Sequence, residues 1–280
     1  MMSIPTGFLC PSCGQPLSQK QRSLVCRNGH SFDLSKEGYV NLLLSSSRHG
    51  KEHGDNREMI RSRRDFLNQG YYRCLQKALC EAVLQLCPPS PMVVDAGCGE
   101  GYYTTAVFQA LKEKNPSQPG NIFGFDMSKE ALRIAAKRCP EVHFAVANLF
   151  SMPLPDHCAD FVTELFAPIA DREFLRILKP GGILLLTIPG PQHLFELKRT
   201  VYDTPYPNQL KELSFPGFTF LKSETIHDTI RLSSSRDIKS LFAMTPYFFR
   251  TPAHFAKRLD ALEQLTTQIE FTLHIYEKNK

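Results

Sequence analysis

Residues 92–104, Met-Val-Val-Asp-Ala-Gly-Cys-Gly-Glu-Gly-Tyr-Tyr-Thr, restrict what this chain can fold into more than any other stretch. A short apolar run, Met92-Val93-Val94, passes through Asp95 into three alternate glycines, Gly97, Gly99 and Gly101, and then into a helical pattern. A strand that turns through glycines into a helix is the join at which open α/β sheets hold nucleoside cofactors. Without a Cβ, the chain can turn tightly there and its backbone can approach a ligand. The spacing is G-x-G-x-G; the dinucleotide fingerprint would need glycine at position 102, which is Tyr102.

With Asp95 two residues ahead of the first glycine, the loop is similar to the acidic loop of S-adenosylmethionine-dependent methyltransferases, whose ligand is a sulfonium and needs no pyrophosphate cradle. Methyl transfer is therefore the leading reading. Downstream, the pattern alternates as a parallel sheet requires, with strands predicted at 93–95, 122–126, 142–146, 160–163 and 182–188. Helices are predicted at 103–114, 129–138, 172–178 and 192–200. The expected fold is a class I, Rossmann-like α/β methyltransferase with a seven-stranded, mostly parallel sheet. Asp126 ends the second strand, where a carboxylate can accept from both ribose hydroxyls, and Asn148 follows the third, where it would meet the adenine edge. Lys179-Pro180-Gly181-Gly182 is a turn ahead of a further strand. Residues 219–231 look extended, and apolar Ile269, Phe271, Leu273 and Ile275 alternate with other residues as in a half-buried antiparallel strand.

Ahead of this domain, Cys10, Cys13, Cys26 and His30 give C-x2-C-x12-C-x3-H, the spacing of a structural zinc site. A hairpin over 17–25 brings the second pair to the first, and four protein ligands leave no position for water. A redox C-x-x-C would not require Cys26 and His30 at this spacing. The other six cysteines are scattered and read as small buried residues. We expect one structural zinc, a small zinc-binding module over 1–44, a loop and helical linker over 45–90, and the methyltransferase domain over 91–280.

Charge is divided unevenly. Residues 1–80 carry 12 Lys+Arg against 6 Asp+Glu, while 81–280 carry 21 against 22, so the net +5 of the chain comes from its N-terminal end. That asymmetry favours a polyanion contacted there. A small, polar, mobile loop is expected over 45–56, then a helix on which Arg57, Arg61 and Arg64 lie a turn apart with Arg63 beside them, a candidate RNA-facing stripe. A second amphipathic helix over 73–86 is closed by Pro88-Pro89. With no apolar run of membrane-span length and no basic-then-apolar leader, the expectation is a cytoplasmic protein with no membrane partner.

With finger and loop both placed, the whole chain resembles the bacterial 23S rRNA (guanine-N1)-methyltransferases of the RlmA/RrmA family. The likeness rests on the Cys10, Cys13, Cys26 and His30 set, on Phe32-Asp33 and Lys36 to Leu43, on Asp95 with Gly97 to Thr104, and on Pro189-Gly190-Pro191 leading to His193-Leu194 and Glu196-Leu197-Lys198. It implies a zinc finger that helps bind rRNA, methylation of N1 of a guanine in a 23S rRNA hairpin, and cofactor contacts at Tyr72, Gly99, Glu100 and His193. Asn148-Leu149-Phe150 and Thr163-Glu164-Leu165-Phe166 depart from that family's pattern. Phe166, Tyr72 or Tyr103 would offer an aromatic platform to an extruded base. Guanine N1 carries a proton at neutral pH, and the sequence does not identify the group that removes it. Two rival readings share parts of this pattern: a methyltransferase for a quinone or lipid precursor, which has no use for the finger, and a non-catalytic RNA-binding scaffold, which has no use for the intact loop. Oligomeric state, a homodimer included, is left open.

Overall fold

The computed structural model describes residues 4–44, 56–209 and 213–280. The loop expected at 45–56 lies outside them except for Asn56, whose side chain accepts a hydrogen bond from the Met59 N–H and caps the first helix.

The N-terminal residues form a four-stranded antiparallel sheet of β1 (Ile4–Leu9), β2 (Pro16–Lys20), β3 (Ser23–Cys26) and β4 (Ser31–Asp33), in that order. The expected hairpin is β2–β3. A short β5 (Val40–Asn41) then leaves the module and joins the larger sheet.

Two helices follow, α1 (Arg57–Asn68) and α2 (Arg73–Leu86), before the alternating part begins with β6 (Met92–Ala96), α3 (Tyr102–Lys114), β7 (Asn121–Asp126), α4 (Lys129–Arg138) and β8 (His143–Val146). It continues with β9 (Ala159–Leu165), α5 (Asp171–Ile177), β10 (Leu178–Pro189), α6 (Phe195–Val201), β11 (Phe218–Leu232), α7 (Ser235–Ala243) and β12 (Leu265–Lys278). The strand order is β11-β12-β10-β9-β6-β7-β8-β5. Strands β10 to β5 run parallel, while β12 is antiparallel to both β10 and β11. Seven strands belong to the expected sheet, and β5 adds an eighth at its edge.

Successive strand residues feed opposite layers, which is why these strands read as unbroken apolar runs. Val93, Ile122, Phe144 and Phe161 pack with the helices α2, α3 and α4, whereas Val94, Phe123, Ala145 and Val162 pack with the zinc module and α5. Phe8 of the module lies edge-on to Phe123, ring centroids 5.1 Å apart. The module is thus one of the layers that bury the sheet. Its backbone is also tied to the catalytic domain: the Leu42 N–H donates to the Val146 carbonyl of β8, and the Leu9 N–H to the Pro153 carbonyl in the loop that follows.

Several elements depart from their sequence-based bounds. Strand β9 runs two residues past 163, since Glu164 and Leu165 stay in register with Leu186 and Thr187 of β10. The expected helix at 192–200 begins only at Phe195, because Leu194 sits in the left-handed region at φ 56°. Helix α7, with its Ser234 cap, had no counterpart in the sequence reading.

A candidate S-adenosylmethionine cleft and a candidate zinc centre

Strand β6 lies between β7 and β9, so the chain leaves it first to one side and later returns to the other. In open α/β sheets, ligands bind outside the carboxyl ends of the strands at such a switch point. A cleft of about 740 Å³ opens there. The residues expected to bind cofactor all line it except Gly101: Tyr72, Asp95, Gly97, Gly99, Glu100, Asp126, Asn148 and His193.

The three glycines have different physical duties, although all have positive φ. A Cβ on Gly97 would stand 2.4 Å from Ala167 Cβ, and one on Gly101 would stand 2.9 Å from Ala135 Cβ. Both positions are set by packing. A Cβ on Gly99 would meet nothing nearer than an Arg63 guanidinium nitrogen at 4.0 Å, so it would project into the cleft itself.

Asp126 fixes the loop from the neighbouring strand, accepting from the Gly99 N–H at 3.0 Å and the Ser128 N–H at 2.7 Å through different oxygens. A carboxylate has about four lone-pair sites, so acceptor capacity remains for ribose hydroxyls. Asp95 is buried and accepts from the Thr104 hydroxyl at 2.5 Å and the Thr163 hydroxyl at 3.2 Å. Burial raises its carboxyl to about 6, against the pull of those two hydroxyls. Glu100 pairs with Arg138 at 2.5 Å, and Arg138 also donates to Asn68 of α1, which braces the loop against α1 and α4. Asn148 accepts from the Phe150 N–H at 3.0 Å and shapes the turn after β8.

Tyr72 and His193 form a connected pair on the other wall. The Glu270 N–H can only donate, so His193 Nδ1 accepts from it and Nε2 carries the proton, which it gives to the Tyr72 hydroxyl at 3.3 Å. The Tyr72 proton is then not committed to His193. Burial pushes the imidazole down to about 3, so His193 is neutral and acts as an orienting donor. Burial likewise raises Tyr72, which stays protonated. Two more buried hydroxyls in this wall, Tyr103 Oη and Thr187 Oγ1, have no partner among the described residues, and a bound ligand would supply one. Together with the space at Gly99, these observations fit a polar nucleoside-type molecule.

At the mouth, three large apolar side chains are exposed: Met127 at 38%, Phe150 at 59% and Phe166 at 46%. Phe166 also has φ 62°, a backbone position bulky residues seldom adopt. The sequence points to Phe166 but not to Met127, Phe150 or Thr187 as lining residues. Glu164 is not among the sequence-based site residues, although its stretch departs from the family pattern and a carboxylate inside Phe-Val-Thr-Glu-Leu-Phe contradicts an apolar strand.

The expected zinc ligands converge. One donor atom each from Cys10, Cys13, Cys26 and His30 lies within 4.8 Å of the others. The Cys13–Cys26 sulfurs are 3.7 Å apart, and His30 Nδ1 is 3.5 Å from the Cys10 sulfur and 3.4 Å from that of Cys26. A tetrahedron with Zn–S of about 2.3 Å and Zn–N of about 2.0 Å has edges of about 3.8 and 3.5 Å, so these donors fit zinc without rearrangement.

The arginines divide. Arg57 and Arg61 are exposed on α1, and Arg64 pairs with Asp65 at 2.6 Å. Arg63 lies off that stripe and lines the cleft. No helix among the described residues is long and apolar enough to cross a membrane.

Fold and cleft together define a class I S-adenosylmethionine-dependent methyltransferase carrying a zinc module. Residues 8–51 match the zinc-ribbon family described as "RlmA, N-terminal", and residues 90–225 match a "Methyltransferase domain" family. The chain is 32% identical to the 23S rRNA (guanine(748)-N(1))-methyltransferase of Streptomyces fradiae, over 94% of this chain and 95% of that protein. It is 38% identical, over 92% of each chain, to the "Putative 23S rRNA (guanine-N(1)-)-methyltransferase" of Micromonospora griseorubida. The solved YcgJ protein of Bacillus is similar over 73% of this chain and 99% of that one, with 17% identity and a TM-score of 0.46. The chain belongs to the 23S rRNA (guanine-N1)-methyltransferase family.

Proposed function

We propose that this enzyme transfers the methyl group of S-adenosylmethionine to N1 of a guanine in a hairpin of 23S rRNA in the cytoplasm. The observation that carries this reading is the docking of a complete Cys3His module onto the sheet whose switch point holds the cleft. Neither rival accounts for both parts. Residues 1–44 serve as the zinc module, 45–90 as the linking segment and 91–280 as the catalytic domain; a homodimer is compatible with this division.

The cofactor would supply a methyl carbon already activated by the sulfonium. What remains to the protein is alignment and exclusion of water. In this reading Asp126 takes the ribose hydroxyls, Gly99 gives the ligand room, Asn148 faces the adenine, and Glu100 stiffens the loop through Arg138. Tyr72, oriented by His193, donates to the ligand from the opposite wall. A stacked or paired guanine hides N1, so the base is extruded, and Phe166 offers it a ring at the cleft mouth. Incubating the protein with labelled S-adenosylmethionine and 23S rRNA from cells lacking the gene tests the reading. Label at one guanine N1 is expected, and no label in rRNA would remove it.

The route of the RNA gives a further expectation. Arg57 and Arg61 are the exposed members of the stripe, whereas the charge of Arg64 is already offset by Asp65. Replacing Arg57 and Arg61 by Ala should weaken rRNA binding and flatten the slope of log K against log salt by about one per lost phosphate contact. Arg64→Ala should do less. Identical slopes for the double variant and the parent would return the stripe to an ordinary solvated face.

A further inference from the structure

Among the described residues, four carboxylates line the cleft: Asp95, Glu100, Asp126 and Glu164. Three are held by firm donors. Asp95 is bound by two threonine hydroxyls, Glu100 by an arginine, and Asp126 by two backbone N–H groups. Glu164 differs. It is 1% exposed, no cation acts on it among the described residues, and one of its oxygens accepts from the Ala167 N–H. A buried carboxylate without a charge partner is an unfavourable group to keep in an apolar strand.

Its position is informative. Glu164 sits near the carboxyl end of β9, in register with Ala96 of β6 and Leu186 of β10. It lies between the glycine loop and the Phe166-Ala167-Pro168 turn, against which Gly97 packs. The turn that offers Phe166 to a base is therefore anchored by the same side chain, through Ala167. A purine stacked at Phe166 would bring its Watson–Crick edge towards this wall, and guanine presents donors there at N1 and its 2-amino group.

We propose that Glu164 is the proton acceptor for guanine N1. The assignment rests on the reading that guanine N1 is the methyl acceptor. The carboxylate takes the N1 proton, the N1 electron pair forms the new bond to the methyl carbon, and the carbon–sulfur bond electrons go to sulfur, leaving a neutral thioether. The proton passes from Glu164 to solvent after the base leaves. Charge balances: a sulfonium and a neutral base give a thioether, a methylated base and one proton.

The surroundings suit that role. Burial raises the Glu164 carboxyl to about 8, opposed by the Ala167 hydrogen bond and reinforced by the negative charge of Asp95 on β6. From β10 alongside, Leu186 and the Thr187 hydroxyl bring no charge. A base works best when its pKa lies near the operating pH. Because the ionised form is the active one, turnover should rise with pH through about 8 and then level.

The test is Glu164→Gln in the full-length, zinc-loaded protein. Glutamine keeps an acceptor for the Ala167 N–H, so the turn should survive while the base is lost. Single-turnover transfer to unmethylated 23S rRNA should fall by about 10²- to 10⁴-fold, the usual contribution of general base catalysis. Affinities for S-adenosylmethionine and rRNA should stay within about threefold, as expected when only the transition state loses a contact. The residual rate should follow hydroxide concentration in place of the levelling profile. Glu164→Asp should retain a levelling profile at a reduced rate. A readout independent of turnover is the carboxyl carbon-13 NMR of the parent without methyl donor. One glutamate resonance should titrate near pH 8 and shift when rRNA is added.

A Glu164→Gln enzyme within about threefold of the parent across pH would overturn the assignment, as would losses in rate that merely track losses in affinity. Should the glutamine variant not fold, the parent decides: no glutamate titrating above the ordinary range, or none responding to rRNA, overturns it. If the parent itself places no methyl group on guanine N1, the proposed function fails first, and that result is distinguishable from these.

Discussion

Replacing Gly99 by Val should leave a folded protein that no longer binds S-adenosylmethionine measurably. The space where a Cβ would stand at this position is empty of protein to 4.0 Å and opens into the cleft, so a branched side chain would occupy ligand volume. Its φ of 54° adds roughly 1–2 kcal/mol of backbone strain for a residue with a Cβ, which a domain of this size can tolerate. The neighbouring glycines predict a contrasting outcome. Substitution at Gly97 or Gly101 drives a Cβ to 2.4 Å from Ala167 or 2.9 Å from Ala135, so those variants should lose stability before they lose ligand. Asp126→Ala makes a graded companion. Hydrogen bonds to a charged acceptor contribute about 1.5–3 kcal/mol, so losing even one to ribose should weaken binding by at least about tenfold. Because Asp126 also anchors Gly99 and Ser128, part of that loss will be disorder of the loop. Calorimetry on folded variants reads both effects. If Gly99→Val and Asp126→Ala bind like the parent, the cofactor lies elsewhere.

Much of the frame was legible because it is written in local chemistry. A strand that must enter a tight turn needs glycines at fixed offsets, and Gly97, Gly99 and Gly101 state this without any partner in space. Zinc ligands declare themselves similarly, since a tetrahedron restricts both residue type and spacing. The long-range pairings were harder. Nothing in Val40-Asn41 says that two residues will cross from the module to the far edge of the catalytic sheet, because pairing depends on an edge formed by His143–Val146, about a hundred positions away. The strand-end position makes Asp126 a candidate ribose acceptor, and the structure adds a second duty, the Gly99 anchor, which spacing alone does not convey. The sequence groups four arginines, Arg57, Arg61 and Arg64 a turn apart and Arg63 beside them, as one RNA-facing set. Helical geometry puts Arg57, Arg61 and Arg64 on one face, but 100° per residue carries Arg63 off it, towards the cleft. Tyr72 and His193 entered only through the family resemblance. The bond between them spans 121 positions, and the proton direction that makes Tyr72 a donor depends on the Glu270 backbone.

Removing one zinc ligand should have the largest effect on the fold. Cys13→Ser is expected to reduce bound metal from about one per chain to near none and to unfold the N-terminal sheet. The module is small: its buried apolar residues, such as Phe8, Leu17 and Leu24, are few, and much of their packing is against the catalytic sheet. Structural zinc contributes roughly 10–16 kcal/mol in modules of this kind, far more than so small a core supplies. The consequences should be graded with distance from the metal. RNA binding should fall most, by at least about tenfold, because the basic N-terminal end loses its shape. The S-adenosylmethionine affinity should fall by less, perceptibly and not to zero. The reason is the pair of backbone bonds from Leu42 to Val146 and from Leu9 to Pro153, which bracket the turn containing Asn148 on one wall of the cleft. Asp126 and the glycine loop, on β6 and β7, do not depend on the module for their hydrogen bonds. Metal analysis, calorimetry with S-adenosylmethionine and rRNA binding on the same preparation separate the three effects. A metal-free protein that still methylates rRNA at the full rate would show that the module folds, and works, without its ion.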